Sequence, residues 1–295
     1  MADDDALATA VRLGSSVDAL AALAAHVRLE TEQLPADPAV RNLLSTIAAE
    51  LIGANTTPDP AAVAPVVGLA RTFLRQAQEL VENPGRSGSW DQVDVPLLQS
   101  MGRLSMGVSA AVQAAERHLP ELGERLASAD SRFLDVGTGA GWLAIAIATS
   151  HPGIRVVGVD IFEAALDLAS ANIDNAGFAD RIELRLQDAA LLDEPGGYDA
   201  IWLPLPFLPK AVVVPIMNAA SRSLKPGGWL LPGTFTGASD RLSELLTDLR
   251  TVRSGGHPWR PEEILDMLAT AGLSEAQEIQ RSWPAPVRLY AALRR

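Results

Sequence analysis

The sequence predicts an α/β fold in which a doubly wound, largely parallel sheet follows an all-helical amino-terminal region. Three observations predict it. Phe133-Leu134-Asp135-Val136 reads as a buried strand running into Gly137-Thr138-Gly139-Ala140-Gly141-Trp142 and then the apolar helix Leu143 to Ala148. Strand and helix patterns alternate from there to the carboxyl end, with Asp160 and Asp188 closing the next two strands. Before about residue 128, apolar residues recur at helical spacing instead.

Taken in order, Ser15 with Asp18 three places on reads as a capping box, and Val17, Leu20, Leu23 and Val27 follow at helical spacing. His26, on an alanine- and leucine-rich helix, reads as a partly buried structural histidine. Asp37-Pro38 caps a second amphipathic helix whose stripe is Val40, Leu43, Leu44, Ile47 and Leu51. A turn from Asn55 to Pro60 precedes a third helix, from about Pro65 to Glu82, which Asn83-Pro84-Gly85 stops. A fourth runs from about Val95 to the neighbourhood of Arg117 and His118, and a short one from Pro120 to Ala127. The expected division is therefore 1–127 for a helical region and 128–295 for the sheet domain.

Composition narrows the function classes. The 295 residues are 48% hydrophobic, enough for one large or two modest domains. Cysteine is absent, which excludes disulfides, thiolate metal sites and a cysteine nucleophile; no metal centre is expected. The start Met1-Ala2-Asp3-Asp4-Asp5 is acidic where a secretory signal is basic, and no apolar run reaches the roughly 18 residues of a membrane helix, so a cytoplasmic protein with no membrane partner is expected. A net charge of −12 argues against nucleic acid and for a small-molecule partner. Arg288, Arg294 and Arg295 read as a solvated edge.

The glycine spacing selects among cofactors. A dinucleotide fingerprint needs G-x-G-x-x-G, but Trp142 occupies the third glycine position and the actual run is G-x-G-x-G. Asp135, two places before the first glycine, together with this tighter turn resembles motif I of class I S-adenosylmethionine (SAM)-dependent methyltransferases of the small-molecule type. A nicotinamide oxidoreductase and a non-catalytic SAM-binding protein are the alternatives. The resemblance covers about 128–295 and implies a Rossmann-like seven-stranded sheet whose final strand is antiparallel. It further implies that Asp135, Gly137, Thr138, Gly139 and Gly141 wrap the amino-acid end of SAM.

The second strand, Arg155 to Asp160, ends about twenty residues past the loop, where a carboxylate can accept both ribose hydroxyls. A helix from about Glu163 to Asn175 and a third strand, Arg181 to Gln187, lead to Asp188. The resemblance implies that Ile161 packs on the adenine ring and Asp188 meets its amino group. Gln99 and Arg103, on the helix before the first strand, are candidates for the SAM carboxylate or the acceptor. In the same family the helical region acts as a lid or acceptor-binding element; dimerisation, giving a homodimer, is the other expectation.

The fourth strand, Tyr198 to Leu203, leads into Pro204-Leu205-Pro206-Phe207. Family members that methylate nucleobases or glutamine often carry Asn/Asp-Pro-Pro-Tyr/Phe here, and this chain lacks the polar member. Pro204 and Phe207 are instead expected to line the site of a small, partly apolar acceptor, as in secondary metabolism, methylated on O, N or C. Leu224-Lys225-Pro226-Gly227-Gly228 is a structural turn before a fifth strand, Trp229 to Pro232. A helix from about Ser239 to Val252 precedes His257 and Trp259, which parallel connections place near the mouth of the site. His257 is the candidate base, since imidazole exchanges protons near neutral pH, and Trp259 a candidate acceptor contact. His151, in the turn entering the second strand, belongs to the opposite edge. The last strands, near Ala276 to Ser282 and Val287 to Leu293, flank Trp283, another candidate acceptor contact.

Overall fold

The computed structural model describes residues 2–53, 60–88, 95–237 and 240–295. The turn expected from Asn55 to Asp59 and the helix start at Ser239 lie outside them. The chain divides into two compact units, Met1–Pro84 and Gly85–Arg295.

The first unit holds α1 (Ala2–Thr31), α2 (Pro38–Ile52) and α3 (Pro60–Glu82), with α1 packed on both others. As the sequence predicts, the Asp37 carboxylate caps α2, accepting the N–H groups of Ala39 and Val40 at 2.8 and 3.3 Å, with Pro38 at the first helical position. Three expectations are corrected. Ser15 and Asp18 lie inside α1 and start nothing, because the alanine- and leucine-rich residues before them are themselves good helix formers. The α2 stripe is not a core face: Val40, Leu43, Ile47 and Leu51 are exposed and only Ala48 is buried. Finally, Ala6–Thr31 is long and apolar enough, by length and composition only, to cross a membrane. His26 and Val27 of this helix are buried.

The second unit opens with α4 (Val95–His118) and α5 (Pro120–Ala127), and continues β1 (Arg132–Val136), α6 (Trp142–Ser150), β2 (Arg155–Asp160), α7 (Glu163–Ala176), β3 (Ile182–Leu186), β4 (Tyr198–Pro204), α8 (Lys210–Ser223), β5 (Leu224–Phe235), α9 (Arg241–Arg253), α10 (Pro261–Thr270), β6 (Ser274–Glu278) and β7 (Val287–Leu293). The seven strands stand in the order β3-β2-β1-β4-β5-β7-β6, parallel except that β7 runs antiparallel to both β5 and β6. One apolar layer on the sheet comes from α4, α5, α6 and α7, the other from α8 and α10. Because α4 and α5 bury Val108, Ala111, Val112, Leu122 and Leu126 in the first layer, the boundary expected after residue 127 falls inside this unit; the unit begins at Gly85.

Helix α8 has no counterpart in the sequence reading; it carries Pro215 in its second turn. Burial of Val213, Ile216, Met217, Ala219 and Ala220 outweighs the one hydrogen bond that proline removes. The Leu224–Gly228 turn is found inside β5's limits: Tyr198 pairs with Leu224 and Ala200 with Trp229, so Lys225 to Gly228 loop out of the ladder. At the edge where β1 and β4 begin, the buried Asp199 carboxylate accepts the Arg132 N–H (2.8 Å), Arg125 Nη1 (3.0 Å) and Lys225 Nζ (2.6 Å), tying α5, β1 and β5 to β4. His151 sits at this same edge, bonded through Nε2 to Glu116 Oε1 at 3.0 Å.

Candidate active site

The three loop glycines have φ of 65°, 54° and 77° at Gly137, Gly139 and Gly141, the left-handed region that costs glycine nothing. Gly141 is also packed tight, since a Cβ there would lie 3.1 Å from the Ala169 Cβ of α7. The first half of the loop is stitched to β2. Gly137 and Thr138 N–H donate to Val159 O at 2.9 and 3.1 Å, and Gly139 N–H donates to Asp160 Oδ2 at 2.8 Å. Phe162 N–H donates to the other oxygen of Asp160 at 3.0 Å, while Thr138 Oγ1 donates to Asp135 Oδ2 at 2.8 Å.

Two carboxylates are thus nearly sealed beneath the loop, Asp135 at 1% exposure and Asp160 at 6%. Burial pushes the Asp135 carboxyl up to about 7; the hydrogen bond from Thr138 opposes that rise and the nearby charge of Asp160 adds to it. Burial raises Asp160 as well, against the stabilising N–H groups of Gly139 and Phe162. Directly after Asp160, Ile161 is 76% exposed, and Leu186, its neighbour strand's residue in register with Asp160, is exposed too. An apolar shelf therefore lies beside the Asp160 carboxylate. Asp188 is exposed, and its carboxylate accepts the Ala190 N–H at 2.8 Å, capping a short 3-10 turn.

Gln99 and Arg103 do reach the loop region, but through Trp142. The Trp142 indole N–H donates to Gln99 Oε1 at 2.7 Å, and the Arg103 guanidinium lies 4.8 Å from the centroid of the indole. Gln99 is further bonded to Asn172. Asn172, one of two asparagines in α7, carries no sequence signal of this part.

The opposite wall rises from β4. A Cβ on Gly137 would lie 3.4 Å from Pro204 Cγ, so the ends of β1 and β4 face each other at the point where the strand order reverses. Beyond Pro204, Phe207 meets Phe235 edge-on at 5.4 Å between centroids. The Gly255-Gly256-His257 loop closes on this wall: a Cβ on Gly256 would overlap the Pro206 backbone. There His257 stacks edge-on against Trp259 at 4.5 Å, and Lys210 Nζ lies 5.3 Å from the Trp259 centroid. Pro204, Phe207, His257 and Trp259 therefore lie on one edge of the sheet. Phe235 and Lys210 were not anticipated, although the parallel register of Pro204 with Gly233 puts the end of β5 on this same edge.

Trp283 is buried. Its turn does lie at this edge, but the side chain is 5% exposed, packed in the core layer, with its indole N–H donating to Val287 O at 3.0 Å. The indole closes the β6–β7 connection.

A left-handed glycine loop, a buried acid at the tip of the neighbouring strand and an exposed apolar residue next to it, all at a topological switch point, define a nucleoside-cofactor-binding α/β domain. A Cβ at Gly139 would meet only the loop's own Gly137 O, at 3.9 Å, so the loop face is open to a ligand; this cradle, with Asp160 and Ile161 beside it, fits SAM. Residues 133–228 match the methyltransferase domain family. The chain is 29% identical over 157 residues to release factor glutamine methyltransferase of Gloeobacter violaceus, covering 42% of this chain and 55% of that protein. It is 30% identical over 161 residues to ubiquinone biosynthesis O-methyltransferase of Thiobacillus denitrificans, covering 51% and 67%. Human N-acetylserotonin methyltransferase, solved in complex with SAM, shares the fold across 98% of this chain and 97% of its own at a TM-score of 0.65 and 17% identity. The chain belongs to the class I SAM-dependent methyltransferases, and SAM is the cofactor of that family. It spans about half the length, or less, of the release-factor relatives it matches, at 55%, 33% and 41%.

Proposed function

We propose that the protein transfers the methyl group of SAM to a hydroxyl oxygen of a small, partly apolar, planar acceptor. The observation that carries this reading is the apposition of the glycine loop and the Pro204 wall across the switch point, with Phe207, Phe235, His257 and Trp259 continuing that wall. When bound, SAM supplies a methyl group activated by a sulfonium, open to in-line displacement. Everything else is positioning by the chain, which holds acceptor and methyl in line and excludes water.

In this reading Asp160 accepts the ribose hydroxyls, Ile161 packs on the adenine, Asp188 meets the adenine amino group, and the Gly137–Gly141 backbone takes the amino-acid end. Arg103, set over Trp142, meets the cofactor carboxylate. Pro204 and Phe207 hold the flat face of the acceptor, and His257 takes its hydroxyl proton. The printed name of the Thiobacillus relative, an O-methyltransferase, and that of the human structure both support a small acceptor. Glutamine methylation, named for the Gloeobacter relative, is disfavoured because Leu203-Pro204-Leu205-Pro206-Phe207 offers no side-chain amide or carboxylate to hold a planar nitrogen.

A role in secondary metabolism, a cytoplasmic location and no binding of nucleic acid complete the reading; the net charge of −12 supports the last. The 1–84 unit serves as a dimer contact. The exposed α2 stripe of Val40, Leu43, Ile47 and Leu51 supports a homodimer, in which a second copy would cover it.

The test is release of S-adenosylhomocysteine from SAM with a panel of phenols, hydroxyquinones, aromatic amines, a glutamine-containing peptide and tRNA. Turnover with hydroxyl acceptors is expected. Turnover confined to the peptide or to tRNA, or none with any acceptor, contradicts the reading.

A further inference from the structure

Helices α4 and α7 meet across the glycine loop through a pair of side-chain amides. Asn172 Nδ2 donates to Ala140 O at 2.8 Å and to Gln99 Oε1 at 3.2 Å, and Gln99 Nε2 donates back to Asn172 Oδ1 at 3.1 Å. The same Gln99 oxygen accepts the Trp142 indole N–H at 2.7 Å. One amide pair therefore grips the loop twice, at the Ala140 carbonyl and at the Trp142 side chain.

The grip falls where the loop has least of its own. Val159 O and Asp160 hold Gly137, Thr138 and Gly139, and Gly141 N–H closes the turn onto Thr138 O at 2.9 Å, but Ala140 lies between two glycines, which have no side chains to limit rotation. A peptide held less firmly samples more conformers, and a ligand that needs one of them must overcome the entropy of selecting it. The fit to α4 is close as well: a Cβ on Gly102 would stand 2.7 Å from Trp142 Cδ1 and 3.1 Å from Ala140 Cβ. The Arg103 guanidinium lies over the indole held in this way, 4.8 Å from its centroid.

We propose that Asn172 and Gln99 are positioning residues of the cofactor loop, preorganising Ala140 and Trp142 so that SAM binds without first ordering the second half of the loop. This rests on the SAM reading of the site. Neither residue touches the reacting atoms; both act through the loop backbone and Trp142. Asn172→Asp is the discriminating substitution, because it keeps the shape of the side chain but removes the donor to Ala140 O and sets a carboxylate oxygen against that carbonyl.

Two readouts on the full chain test it. The first, without ligand, is hydrogen exchange of the Trp142 indole N–H by NMR, its signal identified by its disappearance in Trp142→Phe. The second is calorimetric titration with SAM. Asn172→Ala, Asn172→Asp and Gln99→Ala are each expected to speed indole exchange at least about tenfold and to weaken SAM about tenfold, equivalent to ~1.4 kcal/mol. The double variant Gln99→Ala/Asn172→Ala is expected to lose little more than either single one, because the pair acts as one unit. SAM affinity within twofold of wild type in Asn172→Asp, or unchanged indole exchange in all variants, overturns the proposal, as does a loss in Asn172→Ala that tracks unfolding and is absent from Asn172→Asp. Failure of the wild type to bind SAM would fall on the cofactor reading instead, and the indole exchange would still decide whether the amide pair anchors the loop.

Discussion

Asp160 Oδ2 accepts the N–H of Gly139 at 2.8 Å, so the carboxylate at the tip of the second strand also fixes the middle of the glycine loop. One substitution therefore removes two functions. Asp160→Ala loses the proposed ribose acceptor and leaves the Gly139 and Phe162 N–H groups without their carboxylate, and SAM affinity should fall by about 10- to 100-fold, taking ~1.5–3 kcal/mol for hydrogen bonds to a charged group. Titration of the variant against wild type checks this. An unchanged affinity removes the ribose assignment.

Gly141→Ala should destabilise the fold whether or not ligand is present. The position has φ of 77° and its Cβ would press on Ala169 and Ile173. A left-handed non-glycine residue costs roughly 1–2 kcal/mol before that contact is counted. For a unit of this size the thermal midpoint should drop by about 3–8 °C, read by calorimetry.

Asp199→Ala is the corresponding test at the opposite edge of the sheet. It strands the Arg132 N–H and leaves Arg125 and Lys225 without the carboxylate they share. Because both cations are about one-third exposed, the loss should be about 2–3 kcal/mol, below the range for a fully buried pair. Denaturant unfolding measures it, and SAM affinity of the folded variant should be unchanged.

Much of the site and most of the sheet were legible because each was written locally. The strand-glycine-helix run at 133–148, Asp160 at a strand end and Val287 to Leu293 are contiguous patterns whose periodicity survives folding. What failed was non-local or self-contradictory. Helix α8 went unread, and the burial that outweighs its Pro215 depends on the sheet packed below. Trp283 looked like a surface aromatic in a proline-rich turn, and only the register of β7 with β5 shows it closing the core. Asn172 and Gln99 are 73 residues apart, and nothing along the chain pairs them.

Stability should fall as pH rises through neutrality. Asp135 ordinarily ionises near 3.8 and is pushed up to about 7 by burial, so the folded state binds the extra proton between those values. Its contribution is therefore complete below about 4 and lost as pH approaches and passes 7. His151 adds to the same slope: burial lowers it, but the hydrogen bond and charge of Glu116 prevail and raise it above its usual 6.5, so its stabilisation is present below that value and lost above its raised pKa. Without ligand, the thermal midpoint should be higher at pH 5.5 than at pH 8, and Asp135→Asn should flatten the difference. A midpoint that climbs over this range contradicts the assignment.

His257→Ala should lower kcat for a hydroxyl acceptor by about 10²-fold or more, the usual range for a general base, while leaving SAM affinity within twofold. Comparison of turnover with titration separates the two. A parallel loss of SAM binding would place His257 among the groups that shape the cofactor site.

The central claim is that the loop from Gly137 to Gly141, held by Asp160, is a SAM site. Calorimetric titration of the wild-type protein with SAM and, separately, with NAD tests it most directly. Saturable one-to-one binding of SAM with no heat from NAD is the predicted result; well-folded protein that takes up NAD and not SAM, or neither, would contradict it.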